Sequence, residues 1–270
     1  MRFGHTSPDN NLDIFDVIRR SFIFLWQNRN SFINLCFPAI VILSILSTVL
    51  SIVFVEPENL GLNSSPGPVV VSFDMLLPIF LSLPVVVFFI ICFSVGWHRF
   101  YLIPNDFCDL KESLLWKKRH SRYLYSTITI FMLVIMIGMF GLLFTALGPI
   151  GILITLVLII AFYSRLAFVL PVLAIDKDFN FFNSWNITKG NTIKISLVIF
   201  FIWFLTISAT IFLGQIIQSV FQPNLSFMGI FVISFVFRSL SFISLALIVT
   251  ALSIIYIELS KISHNSLNET

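Results

Sequence analysis

Six stretches of the chain are apolar almost without interruption: residues 31–55, 75–97, 123–147, 150–175, 193–221 and 238–258. Coiled at ~1.5 Å rise per residue, each is long enough to cross a hydrocarbon core of roughly 30 Å. In lipid a backbone must satisfy its own hydrogen bonds, so runs of this kind are spanning helices. The expected fold class is therefore all-α: a polytopic membrane bundle of six transmembrane helices, preceded by an N-terminal amphipathic interfacial helix. A water-soluble domain is excluded, because 58% of the 270 residues are hydrophobic and only 11% charged, too little polar surface to cover a globule.

The segments between the runs set the domain organisation. Residues 1–10 are expected to be disordered, 11–259 to form one transmembrane domain, and 260–270 to be a loose tail. The helix over 11–29 starts near Asn11, with Asp13 and Asp16 at the positive end of its dipole. At the helical period Ile14, Phe15, Ile18, Phe22, Leu25 and Trp26 gather on one side, and Asp13, Asp16, Arg20 and Gln27 on the other. Such a face suits either the membrane surface or the protein's own end.

The loop 56–74 holds Glu56, Glu58, Asp74, Pro57, Pro66, Gly67 and Pro68, and neither Lys nor Arg. By contrast, 98–122 carries Arg99, Lys111, Lys117, Lys118, Arg119 and Arg122, and a helix capped by Asp106 or Asp109 is predicted to run through Trp116 into the third span. Leu147-Gly148-Pro149 allows only a tight hairpin, with Gly138, Gly141, Gly148 and Gly151 for close approach. Pro78 and Pro84 put a kinked entry into the second span.

Phe227 to Glu258 would be ~48 Å long as one helix. It is therefore either an extended helix or an interfacial segment to Phe237, with Arg238 at the far interface. Cations concentrate on one side of these spans, which places both termini in the cytoplasm. The triplets Asn63-Ser64-Ser65 and Asn224-Leu225-Ser226 would then face outward. Charges throughout the first 30 residues leave no apolar core for a cleavable signal. Cys36, Cys92 and Cys108 form neither a disulfide framework nor a metal spacing, and no cofactor is expected.

Three groups carry whatever chemistry the chain has. Lys117, Lys118, Arg119 and Arg122 precede a span, where cations either fix orientation or meet anionic headgroups. Trp97-His98-Arg99 ends a span and reads as an aromatic belt with interfacial charges, or as a headgroup clamp. Arg165 sits inside an apolar run that breaks at Pro171 and surfaces at Asp176-Lys177-Asp178 before Ser184-Trp185 and Lys189-Gly190-Asn191. Counted along a helix it lies ~16 Å from Asp176, deep in lipid. A guanidinium there stays charged, so its partner is a carbonyl, a hydroxyl, an amide such as Gln215, or a lipid phosphate. It is either an anion site or a structural lock.

Trp97-His98-Arg99 with Leu102, then Arg165, Pro171, Ala174 and Asp176, then Ser184-Trp185, Thr188, Gly190-Asn191 and Tyr256, resemble a family of uncharacterised bacterial inner-membrane proteins. That family is related to the membrane domain of some glycerophosphodiester phosphodiesterases. Where the family has Gly-Glu after Leu102, this chain has Ile103-Pro104-Asn105. The resemblance implies six helices in a bacterial inner membrane and brings no catalytic residues.

No nucleophile, base and orienting group occur together, and no carboxylate lies within a span, which argues against an enzyme and against proton- or sodium-coupled transport. The expected role is contact with lipid headgroups or membrane protein partners through the cytoplasmic face, in envelope upkeep. The candidate contacts are Trp97, His98, Arg99, Lys117, Lys118, Arg119, Arg122, Arg165 and Trp185. The alternative is a transporter or channel for a small or anionic solute with Arg165 in its path. Membrane lipids are the expected partners and nucleic acid is not.

Overall fold

The computed structural model describes residues 12–54, 73–103, 112, 114–177, 180–220 and 227–268. The expected disordered segment 1–10, both Asn-Xaa-Ser triplets, Cys108 and the caps at Asp106 and Asp109 lie outside the described residues.

Every element is helical: α1 (Ile14–Gln27), α2 (Arg29–Phe54), α3 (Phe73–Leu102), α4 (Lys118–Gly141), a 3-10 segment (Leu142–Leu147), α5 (Pro149–Leu166), α6 (Val169–Ala174), α7 (Phe181–Ile187), α8 (Thr192–Val220) and α9 (Phe227–Asn268). Among the described residues six segments are long and apolar enough to cross a membrane: Arg29–Val53, Phe80–Leu102, Lys118–Phe144, Pro149–Ala174, Thr192–Ile217 and Phe227–Ser260. The protein is a multi-pass integral membrane protein with an all-α bundle fold.

The bundle is organised around α9. In its apolar stretch 61% of the residues are buried by protein, against 11% for α4, so α9 is the internal helix and α4 a lipid-facing one. Its faces are shared out by side chain. Phe242, Ala246 and Val249 meet Leu35, Cys36, Ala39 and Leu43 of α2 and Phe89, Phe93 and Trp97 of α3. Leu247, Ala251 and Ile254 meet Ile195, Val198 and Ile202 of α8 and Val17 of α1. A third core joins α3 and α4 to the α5–α6 junction through Ile91, Val95, Tyr123, Ile130, Leu166 and Leu170.

Of the alternatives for the last span, the unbroken helix is the one found. α9 runs through Arg238 and is ~63 Å long. It also takes in 260–268, where a loose tail was expected.

Asp13 caps α1, accepting from the amides of Phe15 at 2.9 Å and Asp16 at 3.4 Å. Half of the expected apolar face packs on protein: Ile14, Ile18 and Leu25 lie against the α8–α9 core, with Val17 and Ser21 fully buried. Phe15, Phe22 and Trp26 point outward. α1 thus docks on the bundle along one flank and offers aromatics on the other.

The helix predicted through Trp116 is interrupted. Leu115 to Lys117 are not helical. The Trp116 indole donates to Ser121 Oγ at 2.8 Å, and the His120 ring accepts the Lys117 amide at 3.0 Å, starting α4 at Lys118.

At the α4–α5 hairpin the glycines act as predicted by position but unequally. A Cβ on Gly141 would lie 2.0 Å from the Thr155 methyl, and one on Gly151 1.7 Å from the Phe144 carbonyl oxygen. Gly138 has ordinary room.

Candidate functional site

The chain between α5 and α8 folds into one end of the bundle. α5 stops at Leu166, turns through Ala167 and Phe168, and resumes as the buried α6. Pro171, expected to be the break, instead sits in the first turn of α6, where a missing N–H costs no helical bond. Asp176 then takes the left-handed conformation with φ 62°, which an aspartate tolerates better than most residues. Asn180 caps α7 by accepting the Asn183 amide at 2.8 Å. Gly190, at φ 88°, turns the chain into α8.

This break moves Arg165. Its Nε donates to Thr192 Oγ1 at 2.8 Å, and its guanidinium carbon lies 4.1 Å from the centre of the Trp185 ring. Thr192 begins α8, so Arg165 is level with the first turn of that span. Gln215 belongs to the opposite end of α8 and is not its partner.

The acceptor is prepared by a relay of hydroxyls. Thr192 Oγ1 donates to Thr188 O at 3.3 Å and keeps a lone pair for Arg165, while Thr188 Oγ1 donates to Ser184 O at 2.9 Å. Ser184 Oγ donates to the carbonyl of Arg165 itself. One turn deeper, Ser164 and Ser196 hydroxyls pair at 2.9 Å. Arg165 and Trp185 are therefore brought together, as a lock between α5, α7 and α8.

The second feature is an ion cluster. Asp176 Oδ2 accepts from Arg99 Nη1 at 3.0 Å and from Arg119 Nη1 at 2.8 Å. Arg99 also donates to the Ala174 carbonyl at 3.2 Å, at the C-terminal end of α6. The two arginine side chains are only 20% and 14% exposed, and the carboxylate they share is 55% exposed. One carboxylate thus gathers two guanidiniums at the surface. Lys117, Lys118 and Arg122 stand on the same α4 terminus, with Lys118 exposed.

Trp97 and His98, by contrast, are inside the bundle and out of reach of headgroups. Trp97 is stacked on Phe93 at 5.8 Å between ring centres, flanked by Phe24 and Phe32, and donates to Thr250 Oγ1 at 2.9 Å. His98 Nδ1 is 2.8 Å from Ser253 Oγ. Because Ser253 Oγ donates to Val249 O, the imidazole is the donor in that pair. Its Nε2 has no partner among the described residues. An apolar run ending in Trp-His-Arg reads as a belt; here neighbouring spans continue alongside it and cover the rings.

At the same end Arg20 of α1 bridges Asp16, at 2.8 Å, and Glu258 of α9. Burial pulls the Arg20 guanidinium down, but hydrogen bonding to Glu258 and the charges of Glu258 and Asp16 raise it above its ordinary value. α1 is thereby fastened to the central helix.

Sequence reasoning missed Thr192, Thr250 and Ser253 as partners. Thr250 and Ser253, at i and i+3 in an apolar span, carry a usable signal, because small hydroxyls there often bond across helices. Among the described residues no group of three His, Cys, Asp or Glu side chains is placed to hold a metal. Comparison with protein-family models, with curated proteins and with solved structures finds no match for this chain.

Proposed function

We propose that the protein is a non-catalytic component of a bacterial inner membrane whose basic end lies at the cytoplasmic leaflet and holds anionic lipid headgroups there. Both termini are then cytoplasmic, and the role belongs to envelope upkeep, in keeping with the resemblance to inner-membrane proteins related to the membrane domain of glycerophosphodiester phosphodiesterases. The observation that supports this best is the sharing of Asp176 by Arg99 and Arg119. Lys117 and the exposed Lys118 stand beside them at the start of α4. Cations at a membrane surface gain roughly 1 kcal/mol each from anionic headgroups. Arg165, occupied by Trp185 and Thr192, supports this end without itself needing a ligand.

The experiment is extraction in native membrane discs and mass spectrometry of the retained lipids. The Lys117→Gln/Lys118→Gln double variant should keep less than half of the anionic lipid held by the wild type, with thermal stability unchanged. An equal anionic fraction in both would defeat the reading. Co-purifying membrane proteins, read from the same sample, identify partners at this face.

A further inference from the structure

Arg238 stands apart from Arg20, Arg99, Arg119 and Arg165. Arg20 has Asp16 and Glu258, Arg99 and Arg119 have Asp176, and Arg165 has Thr192 and Trp185. Arg238 lies within an apolar spanning helix, is half-buried, and has no hydrogen bond, ion pair or ring contact among the described residues. The neighbouring hydroxyls are turned inward on their own helix: Ser239 donates to Phe235 O at 2.8 Å and Ser241 to Phe237 O at 2.9 Å.

Its level in the bundle follows from α9 being unbroken. Glu258 is fixed to Arg20 at the basic end, and Arg238 is ~30 Å of helix away, the thickness of a hydrocarbon core. Apolar surface nevertheless continues past it, since Phe227, Met228 and Val232 are exposed. Phe235 packs on Phe37 at 6.3 Å, and Phe237 approaches Gly214 of α8. Arg238 thus lies on a helix whose apolar surface continues beyond it instead of ending there.

Arginine cannot shed its proton there, and lipid tails offer no acceptor. Its long stem can carry the planar fork toward the headgroup layer, where the strongest acceptors are phosphate oxygens that it grips two at a time. We propose that Arg238 is a lipid-phosphate site in the leaflet opposite the basic end. The protein then holds phospholipid in both leaflets, and this second site does not depend on the first.

The test counts phospholipids retained by detergent-exchanged protein in native mass spectrometry, for wild type, Arg238→Gln and Arg238→Lys. Each is reconstituted in phosphatidylglycerol discs, in discs of a phosphate-free glycolipid, and in detergent with inorganic phosphate alone. Wild type should retain at least one more phosphatidylglycerol than Arg238→Gln, with Arg238→Lys between them because a lysine keeps the charge but not the fork. The same difference should persist in the Lys117→Gln/Lys118→Gln background, which separates this site from the basic end. Equal phosphatidylglycerol counts in wild type and Arg238→Lys would overturn the proposal, even if Arg238→Gln fails to fold. So would an equal loss of glycolipid, or an inorganic phosphate adduct that replaces the lipid.

Discussion

Arg165 shows how a single residue changes meaning once its neighbours are known. As one Arg in an apolar run it demanded a partner, and the Thr192 hydroxyl belongs to the expected class. The Trp185 ring face and the level with the first turn of α8 were not legible, because both depend on a break at Ala167 and Phe168 that carries neither Gly nor Pro. Replacing Arg165 with Leu removes one hydrogen bond and one cation–π contact, so the folded state should lose about 1–3 kcal/mol. Arg165→Lys should recover part of that through Trp185 alone, and thermal unfolding in lipid discs reads the order wild type, Lys, Leu. Asp176 invites the complementary change. Asp176→Asn keeps a residue suited to positive φ, whereas Asp176→Ala adds roughly 1–2 kcal/mol of left-handed strain to the lost ion pairs. Both variants take a carboxylate away from Arg99 and Arg119, so each should retain more anionic lipid than the wild type, measured by the same mass spectrometry. Less lipid would mean that Asp176 organises the site instead of competing for it.

Among the elements, the α4–α5 hairpin is the one whose sequence signal was most specific. Gly148-Pro149 announced the turn, and four glycines announced close packing. Which glycines matter depended on the 3-10 segment Leu142–Leu147, whose Phe144 carbonyl no periodicity reveals. Gly151→Ala meets that backbone oxygen and should lower the melting temperature sharply, and Thr155→Ala should not rescue it. Gly141→Ala meets the Thr155 side chain, whose methyl and hydroxyl lie nearest; Thr155→Ala removes both but keeps the Cβ at 2.9 Å, so it should restore part of the stability. Thermal melts of the two single and two double variants test this; rescue of both glycine variants alike would contradict it. α1 was legible in part. Asp13 was correctly placed at its positive end, but an amphipathic pattern alone did not divide its face between Val17 and Ser21, buried on protein, and Phe15, Phe22 and Trp26, turned outward.

For the whole molecule, fold class and span number were the easiest things to read, because lipid permits so few ways of hiding a backbone. The rank of the helices within the bundle was not readable. α9 is as apolar as the helices around it, yet it is the internal one, and Trp97 and His98 are buried for the same reason: other spans cover the end of α3. The gathering of Arg20, Arg99, Arg119, Arg165 and Asp176 at one end depends on that packing, and the proposed headgroup contact depends on that end facing the cytoplasm. The direct test is labelling of single cysteines in a chain whose native cysteines are replaced. Ser65→Cys should react with a membrane-impermeant maleimide on intact cells, and Asn180→Cys only after the cells are opened. Reaction of both on intact cells, or of Asn180→Cys alone, would place the basic end away from the cytoplasmic leaflet and contradict the account.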